Sequence, residues 1–234
     1  MRPASTTLED MSRRPLPDYG LIESLRFAEG AYARLELHLE RLFTSAAELG
    51  FHCDEHRIRQ LLKHQAAQLS GAEAAYKVRL LLEPDGSAWI HADRLPAPPS
   101  DLPEVMLAEA RLSTGEPLAR HKTTRRALFE RHHTPARLKG LHDVLFLNDR
   151  AELAEAANSN VFLELKGELL TPPVTAGILP GVYRAWLLAS DARVREAVLS
   201  LSDLEEADAI YLSNSVRGWR QVRLRPGLLR TIGS

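Results

Sequence analysis

A proline-rich segment near the middle of the chain most constrains how the chain can fold. Between positions 96 and 103, four of the eight residues are proline. Because proline fixes φ and lacks an N–H, neither a helix nor a central strand can continue through such a segment. We therefore predict a linker at about 96–103, which divides the chain into a small N-terminal α+β domain over 1–100 and a larger domain over 101–234.

The first half combines strands with amphipathic helices. Residues 1–17 are polar and contain proline, which predicts a flexible start. A strand is predicted over 21–27, and leucines at spacings of three and four predict a helix over 34–49. A second amphipathic helix over 55–69 is followed by a hairpin over 76–93.

The second half consists of more and shorter elements. The pattern predicts strands over 104–112, 143–147, 197–200 and 209–212, a hairpin over 160–171, helices over 123–132 and 182–190, and a helical turn over 202–207 with Ser202 as N-cap and Glu205 at the capping-box position. The basic stretch from Arg217 to Arg230 is interpreted as a solvated edge. Because the strands come mainly as hairpins, two α+β domains are favoured over a doubly wound sheet.

Composition narrows the class of protein. The 234 residues carry 30 Lys and Arg against 31 Asp and Glu, and such a balance argues against a nucleic-acid-binding protein. No apolar run approaches the roughly 20 residues of a membrane span. The single cysteine, Cys53, fits a reducing, cytoplasmic setting. The histidine spacing does not indicate a metal site. We expect no nucleic acid, no membrane and no metal.

Lysine is scarce, and this narrows the search for a nucleophile. Five lysines occur against 25 arginines, most simply through compositional bias. Lys122 lies at a predicted strand-to-helix junction, between His121 and Thr123. A lysine amine with a lowered pKa can form a Schiff base with a carbonyl cofactor such as pyridoxal phosphate. Taken alone, a solvated lysine near a helix start is the commoner explanation.

Two further segments are suited to a cofactor of that kind. The glycine- and proline-rich loop 177–181 precedes a predicted helix, whose first N–H groups favour an anion such as phosphate. Glu155 precedes a predicted strand, and a carboxylate there could pair with a protonated pyridine nitrogen. An ordinary strand-to-helix turn and an ordinary surface glutamate remain open as alternatives.

In their order along the chain these segments resemble the class IV pyridoxal-phosphate aminotransferases, which have fold type IV. The matching segments are Leu37–Leu42 with Ser45, Lys122–Thr124, Leu147–Asn148, Glu155, Asn160–Phe162, Thr171–Pro173, Gly177–Val182 and Asn214–Ser215. The resemblance implies an α+β fold with a small α/β domain and a larger pseudo-barrel domain. It also implies pyridoxal phosphate as cofactor, a small-molecule substrate and a homodimer.

The resemblance assigns roles around the cofactor ring. Lys122 would hold the cofactor as a Schiff base and then move protons. Glu155 would face the pyridine nitrogen, and Asn160 would shape the hairpin beside it.

The resemblance also assigns contacts to anionic groups. Arg41, the backbone amides of Val182 and Tyr183, and the hydroxyl of Ser215 would bind the phosphate. Arg79 is a weaker candidate for a substrate carboxylate. An outward-facing strand arginine is an equal interpretation of Arg79.

The end of the chain indicates a branch of the family. The stretch 213–219, Ser-Asn-Ser-Val-Arg-Gly-Trp, and the short chain resemble the lyases that convert 4-amino-4-deoxychorismate to 4-aminobenzoate and pyruvate. Ala156 and Ala157 follow Glu155 where the aminotransferases often have Gly or Thr. We therefore expect such a lyase. An aminotransferase of branched-chain or D-amino acids is the first alternative, and a non-catalytic homologue that binds a small anion is the second.

Overall fold

The computed structural model of the chain describes residues 16–225, apart from positions 70, 72 and 99. Positions 1–15 of the predicted flexible start and positions 226–230 of the predicted basic edge lie outside the described residues. Within the described part of the chain, no helix has the length and apolar character needed to cross a membrane. No group of three His, Cys, Asp or Glu side chains among the same residues could hold a metal ion.

The first half of the chain forms a four-stranded sheet and two helices. Its elements are β1 (Leu21–Ala28), β2 (Ala31–Tyr32), α1 (Leu35–Leu49), α2 (Glu55–Leu69), β3 (Tyr76–Leu82) and β4 (Ala88–Arg94). The sheet has the order β2-β1-β3-β4, and all its pairings are antiparallel. The strand, the two helices and the hairpin predicted for this half are confirmed.

The two faces of this small sheet differ because side chains alternate along its strands. Leu21 and Leu25 of β1 are buried in a cluster with Leu39 of α1, so one face carries the helices. On the other face, Arg26 lies opposite Lys77 in the β1–β3 register. The helix-free face is therefore polar, and it is the face turned toward the second half of the chain.

The second half is built on an eight-stranded sheet that closes on itself. Its elements are β5 (Glu104–Leu112), α3 (Ala127–Leu138), β6 (Asp143–Asn148), β7 (Leu153–Ala156), β8 (Asn160–Leu165), β9 (Glu168–Thr171), a 3₁₀ turn (Val174–Ala176), α4 (Val182–Ser190), β10 (Val194–Glu196), α5 (Leu201–Glu206), β11 (Ala209–Asn214) and β12 (Gly218–Leu224). The strand order is β10-β9-β8-β11-β12-β5-β6-β7, and β7 also pairs with β8. This additional pairing closes a ring of strands, from which β9 and β10 extend.

This architecture confirms the predicted α+β fold with a barrel-like second half. Neighbouring residues of β6 belong to two different buried clusters: Leu145 packs in one cluster and Phe146 packs in the other. The barrel strands are thus packed on both faces, which fixes the positions of the residues they carry. The proposed linker at 96–103 lies between β4 of the small sheet and β5 of the barrel.

Helix α3 begins later than the sequence pattern predicts. The prediction was a helix over 123–132, but α3 begins at Ala127. Residue 123 instead forms a bridge with Leu21, and the Thr124 N–H donates to the Gly20 carbonyl at 2.9 Å. Backbone groups used in this pairing cannot also belong to a helix, so the predicted first turn was wrong.

The predicted strand over 197–200 and the predicted cap at Ser202 were also wrong. Strand β10 lies earlier, where it finds a parallel partner in β9. The capping box is formed by Ser200, whose hydroxyl accepts from the Asp203 N–H at 3.1 Å, while the Asp203 carboxylate accepts from the Ser200 N–H at 2.6 Å. Neither Ser202 nor Glu205 takes part in it.

The basic stretch that begins at Arg217 is not a solvated edge in its described part. Strand β12 lies inside the barrel ring, between β11 and β5. Trp219 contacts Phe162 with ring centroids 4.8 Å apart and stacks on Tyr211 at 4.6 Å. Val222 is buried. The apolar side chains between the arginines pack against the barrel and therefore hold this segment within the sheet.

Ser200→Ala should lower the free energy of unfolding by about 1 kcal/mol, because it removes the acceptor for the Asp203 N–H. Ser202→Ala should change that free energy by less than about 0.5 kcal/mol. Urea unfolding followed by circular dichroism measures both variants. Equal losses, or a larger loss for Ser202→Ala, would contradict the cap assignment.

Candidate active site

A cavity of about 610 Å³ lies where the polar face of the small sheet meets the barrel. Ser24 and Lys77 line it from the small sheet, and Arg41 lines it from α1. Lys122 and Glu155 line it from the second half. A cavity of this size can hold a small organic molecule, so both halves of the chain contribute to one candidate ligand site.

Backbone hydrogen bonds hold Lys122 between the two halves. The Ile22 N–H of β1 donates to the Lys122 carbonyl at 2.8 Å. The preceding residue, His121, is hydrogen-bonded through Nδ1 to the hydroxyl of Ser45 on α1 at 2.9 Å. The segment that carries Lys122 is thus attached to both β1 and α1, and its side chain lines the cavity.

The surroundings of Lys122 lower the pKa of its amine from 10.5 to about 7. Burial is the largest cause, and the positive charges of Arg41 and Arg126 add to it. Glu23 and Glu155 oppose the shift by favouring the ammonium form. A large fraction of the amine is therefore unprotonated near neutral pH, which is the state that attacks a carbonyl carbon.

Glu155 and Asn160 are brought together on adjacent barrel strands. They lie opposite each other in the β7–β8 register. Glu155 Oε2 accepts from the Leu179 N–H at 3.2 Å, and Asn160 Nδ2 donates to the Leu179 carbonyl at 2.9 Å. The two side chains therefore fasten the same residue of the loop that precedes α4.

Burial raises the pKa of the Glu155 carboxyl to about 8, and the nearby Asp143 adds to the rise. The Leu179 N–H, Arg126 and Lys122 oppose it. An opposite charge within a few ångströms lowers the pKa of a buried carboxyl again. Glu155 is therefore suited to pair with a cationic group of a ligand.

The loop before α4 packs closely against its neighbours, because glycine occupies two positions at which there is no room for a Cβ. Gly177 has φ +81°, and a Cβ there would lie 2.9 Å from a backbone oxygen. A Cβ at Gly181 would lie 2.0 Å from Asn160 Oδ1. Helix α4 begins at Val182, and Val182 and Tyr183 line the cavity. Since the first N–H groups of a helix lack carbonyl partners within it, this end of the cavity can bind an anion.

Arg41 lies beside this loop. Its Nη1 donates to the Pro180 carbonyl at 3.2 Å. Its Nε and Nη2 donate to the two carboxylate oxygens of Glu23 at 2.8 and 2.7 Å. The guanidinium is thus fixed between β1 and the loop, at the same end of the cavity as Val182.

Ser215 lines the cavity from the turn between β11 and β12. The side chain of Asn214 holds that turn, since its Oδ1 accepts from the Val216 N–H at 3.1 Å and from the Arg217 N–H at 2.8 Å. The turn therefore presents Ser215 and Arg217 to the same cavity.

Arg79 is the one candidate residue that the structure places away from the cavity wall. It is exposed on β3, opposite Ser24 of β1. Lys77, two residues earlier on the same face, lines the cavity instead. Burial lowers the pKa of the Lys77 amine, and the charges of Arg79, Arg217 and Arg126 lower it further, while Asp93 opposes the shift. Lys77 therefore lies within a concentration of positive charge.

Among the charged residues at this site that were not predicted from the sequence are Glu23, Lys77 and Arg126. Glu23 could have been found from the sequence. It alternates with Leu21 and Leu25 along β1, so its carboxylate lies on the same face of the strand as these apolar side chains. No sequence pattern indicates Lys77 or Arg126, since these two residues come together only when the two halves of the chain assemble.

The comparisons with known proteins agree with this geometry. The sequence profile described as amino-transferase class IV matches residues 20–224. A solved structure from Mesorhizobium loti, provisionally named an amino-acid aminotransferase, is similar with a TM-score of 0.81 and 38% identity, and the match covers 89% of this chain and 100% of that chain.

Two curated relatives extend the comparison. A Schizosaccharomyces pombe protein, provisionally named an aminodeoxychorismate lyase, is 26% identical over 196 residues, which are 81% of this chain and 83% of that protein. A Thermotoga maritima protein, provisionally named a branched-chain-amino-acid aminotransferase, is 34% identical over 86 residues, or 35% of this chain. The match spans only 32% of the length of the Thermotoga protein. Because the family profile covers most of the sequence, the chain belongs to the class IV aminotransferases, a family of enzymes that depend on pyridoxal phosphate.

Proposed function

We propose that this enzyme is a lyase that converts 4-amino-4-deoxychorismate to 4-aminobenzoate and pyruvate. The charge of the cavity wall is the observation that carries the proposal. Basic side chains outnumber acidic ones in the lining: the former are Arg41, Lys77, Arg111, Lys122, Arg125, Arg126 and Arg217, and the latter are Glu116 and Glu155. The proposed substrate carries a carboxylate on its ring and another on its enolpyruvyl group, so its charge complements this wall.

Part of this positive charge lies apart from the phosphate end of the cavity. We call Lys77, Arg126 and Arg217 the cationic wall. Arg217 donates to the Pro96 carbonyl at 2.7 Å, and Arg126 donates to the Asn158 side-chain oxygen at 3.2 Å. These acceptors are neutral, so the hydrogen bonds orient the two guanidinium groups without forming an ion pair. The acidic groups near Arg126 are Glu155, Glu130 and Asp143.

The residues of the cavity fit pyridoxal phosphate. Lys122 offers the aldehyde of the cofactor an amine of which a large fraction is unprotonated near neutral pH. Glu155 offers the ring nitrogen of the cofactor a buried carboxyl. Arg41 and the start of α4, at Val182 and Tyr183, offer N–H donors for its phosphate. When bound, the cofactor supplies an electron sink that stabilises the charge left on the carbon attached to the substrate amine.

Lys122 also has the properties of the proton carrier that the reaction needs. Its Nζ would take the proton from the ring carbon that bears the amine. The C–O bond to the enolpyruvyl group breaks, and Nζ would return a proton to the CH₂ carbon of the departing group, which leaves as pyruvate. A pKa near the working pH suits a group that must both accept and donate.

The lyase relative supports this choice, since its match covers 81% of this chain and 83% of that protein. An amino-acid aminotransferase is the second candidate. The Mesorhizobium structure favours it, as do the apolar lining residues Leu118, Leu128 and Phe129, which could receive an aliphatic side chain.

Supplied with 4-amino-4-deoxychorismate and no keto acid, the protein loaded with pyridoxal phosphate should release equal amounts of 4-aminobenzoate and pyruvate. Liquid chromatography and a lactate-dehydrogenase assay measure the two products. Lys122→Ala should lower the rate by at least about 10²-fold, the usual loss for an acid–base group, while Lys139→Ala, an exposed lysine, should leave it unchanged. Turnover that appears only with an amino acid and a keto acid together would contradict the lyase assignment.

The pH dependence of cofactor uptake should report the pKa of Lys122. The neutral amine reacts and the ammonium form does not, so the rate should rise about tenfold per pH unit below pH 7 and level off above it. Stopped-flow absorbance of the cofactor-free protein mixed with pyridoxal phosphate measures the rate. A lysine with the ordinary pKa would still show a rising rate at pH 9, which would contradict the assignment.

Lys77→Gln should raise KM for 4-amino-4-deoxychorismate about tenfold and leave cofactor uptake unchanged. A hydrogen bond to a charged group contributes about 1.5 kcal/mol or more, and the variant loses that charge at the cationic wall. Steady-state kinetics on the purified variant measures KM, with Lys139→Gln as the matched control. An unchanged KM would exclude Lys77 from substrate binding.

A further inference from the structure

A buried ionic cluster lies behind the phosphate end of the cavity. We call it the Glu23 clamp, and it consists of Glu23 on β1 with His38 and Arg41 on α1. Glu23 is 2% exposed and His38 is 1% exposed. Besides its two bonds to Arg41, the Glu23 carboxylate is bonded through Oε2 to His38 Nδ1 at 2.6 Å. Two side chains of α1 thus converge on one carboxylate of β1.

The carboxylate of the clamp is ionised. Burial alone would raise its pKa, but the charge of Arg41 and the hydrogen bonds from His38 and Arg41 outweigh burial and lower the pKa to about 2. His38 Nδ1 therefore donates. Replacing a buried ion pair by apolar residues is often neutral for stability, so stability by itself does not account for this charge.

The geometry of Arg41 indicates what the clamp does. A guanidinium has five N–H donors. Two of them are donated to Glu23 and one to the Pro180 carbonyl. One donor on Nη1 and one on Nη2 therefore remain, and Arg41 lines the cavity next to the start of α4.

We propose that Glu23, held in turn by His38, is the positioning residue that fixes Arg41 so that its two remaining donors meet a phosphate monoester. The inference rests on the proposed function, because it takes the phosphate of the cofactor as the anion at Arg41. Glu23 does not touch the phosphate. It reduces the conformational freedom that Arg41 would otherwise lose on binding, which is how a preorganised site gains affinity.

His38 also holds the carboxylate, at Oε2, the same oxygen that accepts from Arg41 Nη2. Its Nε2 has no hydrogen-bond partner among the described residues, so Glu23 is the polar group to which the ring is fastened. Removing His38 should therefore leave the bonds between Glu23 and Arg41 in place but allow the carboxylate to turn.

The test compares two probes that differ only in the phosphate. Cofactor-free protein is titrated with pyridoxal phosphate and with pyridoxal, and the absorbance of the lysine adduct gives a Kd for each. In Glu23→Gln the preference for pyridoxal phosphate over pyridoxal should fall at least tenfold, with the affinity for pyridoxal changed less than threefold. His38→Asn should lower the preference by a smaller factor.

Matched variants separate this inference from the function it rests on. Arg41→Gln should lower the preference, and Glu23→Gln added to it should lower the preference no further. Glu104→Gln removes a carboxylate that accepts from Arg225 at 2.9 Å outside the cavity, and it should leave the preference unchanged.

The two single variants Arg41→Gln and Glu23→Gln distinguish the possible outcomes. An unchanged preference in Arg41→Gln would overturn the phosphate role of Arg41 and with it that part of the proposed function. A lowered preference in Arg41→Gln together with an unchanged one in Glu23→Gln would overturn only the clamp. If Glu23→Gln does not fold, as judged by circular dichroism, His38→Asn decides: an unchanged preference there overturns the proposal.

Discussion

The pairing of residues 122–124 with the start of β1 is the interaction on which the site depends. It occupies the backbone of the segment that would otherwise begin α3, and it joins the barrel to the small sheet through the bond between Ile22 and the Lys122 carbonyl. Lys122 is thereby enclosed between the two halves, with its side chain on the cavity wall. The same pairing brings α1 over the cavity, so that Arg41 reaches the loop before α4.

The electrostatics of the cavity follow from this burial. Lys122 and Glu155 carry opposite charges in water, yet the structure lowers the pKa of the first to about 7 and raises that of the second to about 8. Burial is the largest cause for both residues, because a low-dielectric site disfavours either charged form. A ligand that carries both a cationic and an anionic group can pair with the charged forms of Glu155 and Lys122. These pairings would contribute to the binding free energy.

Local patterns predicted the elements whose side chains alternate or recur regularly, as in β1, α1 and α2. They also singled out residue 122, residue 155 and the loop 177–181 as candidates for a site, and the structure places all three along one cavity. They failed where a distant strand decides the outcome. The start of α3 depends on Gly20 and Leu21, about a hundred residues away in sequence, and the burial of β12 depends on partners contributed by β5 and β11. Lys77 was missed for the same reason, since its partners Arg126 and Arg217 come from the other half of the chain.

The stripe of polar residues on α1 that faces the cavity has a consequence for how such a chain can change length. His38, Arg41 and Ser45 lie on one face of the helix and are bonded to Glu23, to the loop at Pro180 and to His121. One residue inserted within α1 would turn everything beyond it by about 100°, and the contacts on the two sides of the insertion could no longer be made together. Insertions and deletions in this half should therefore be confined to its turns, as at 50–54 and 83–87, and the spacing within α1 should be kept among proteins that retain the site.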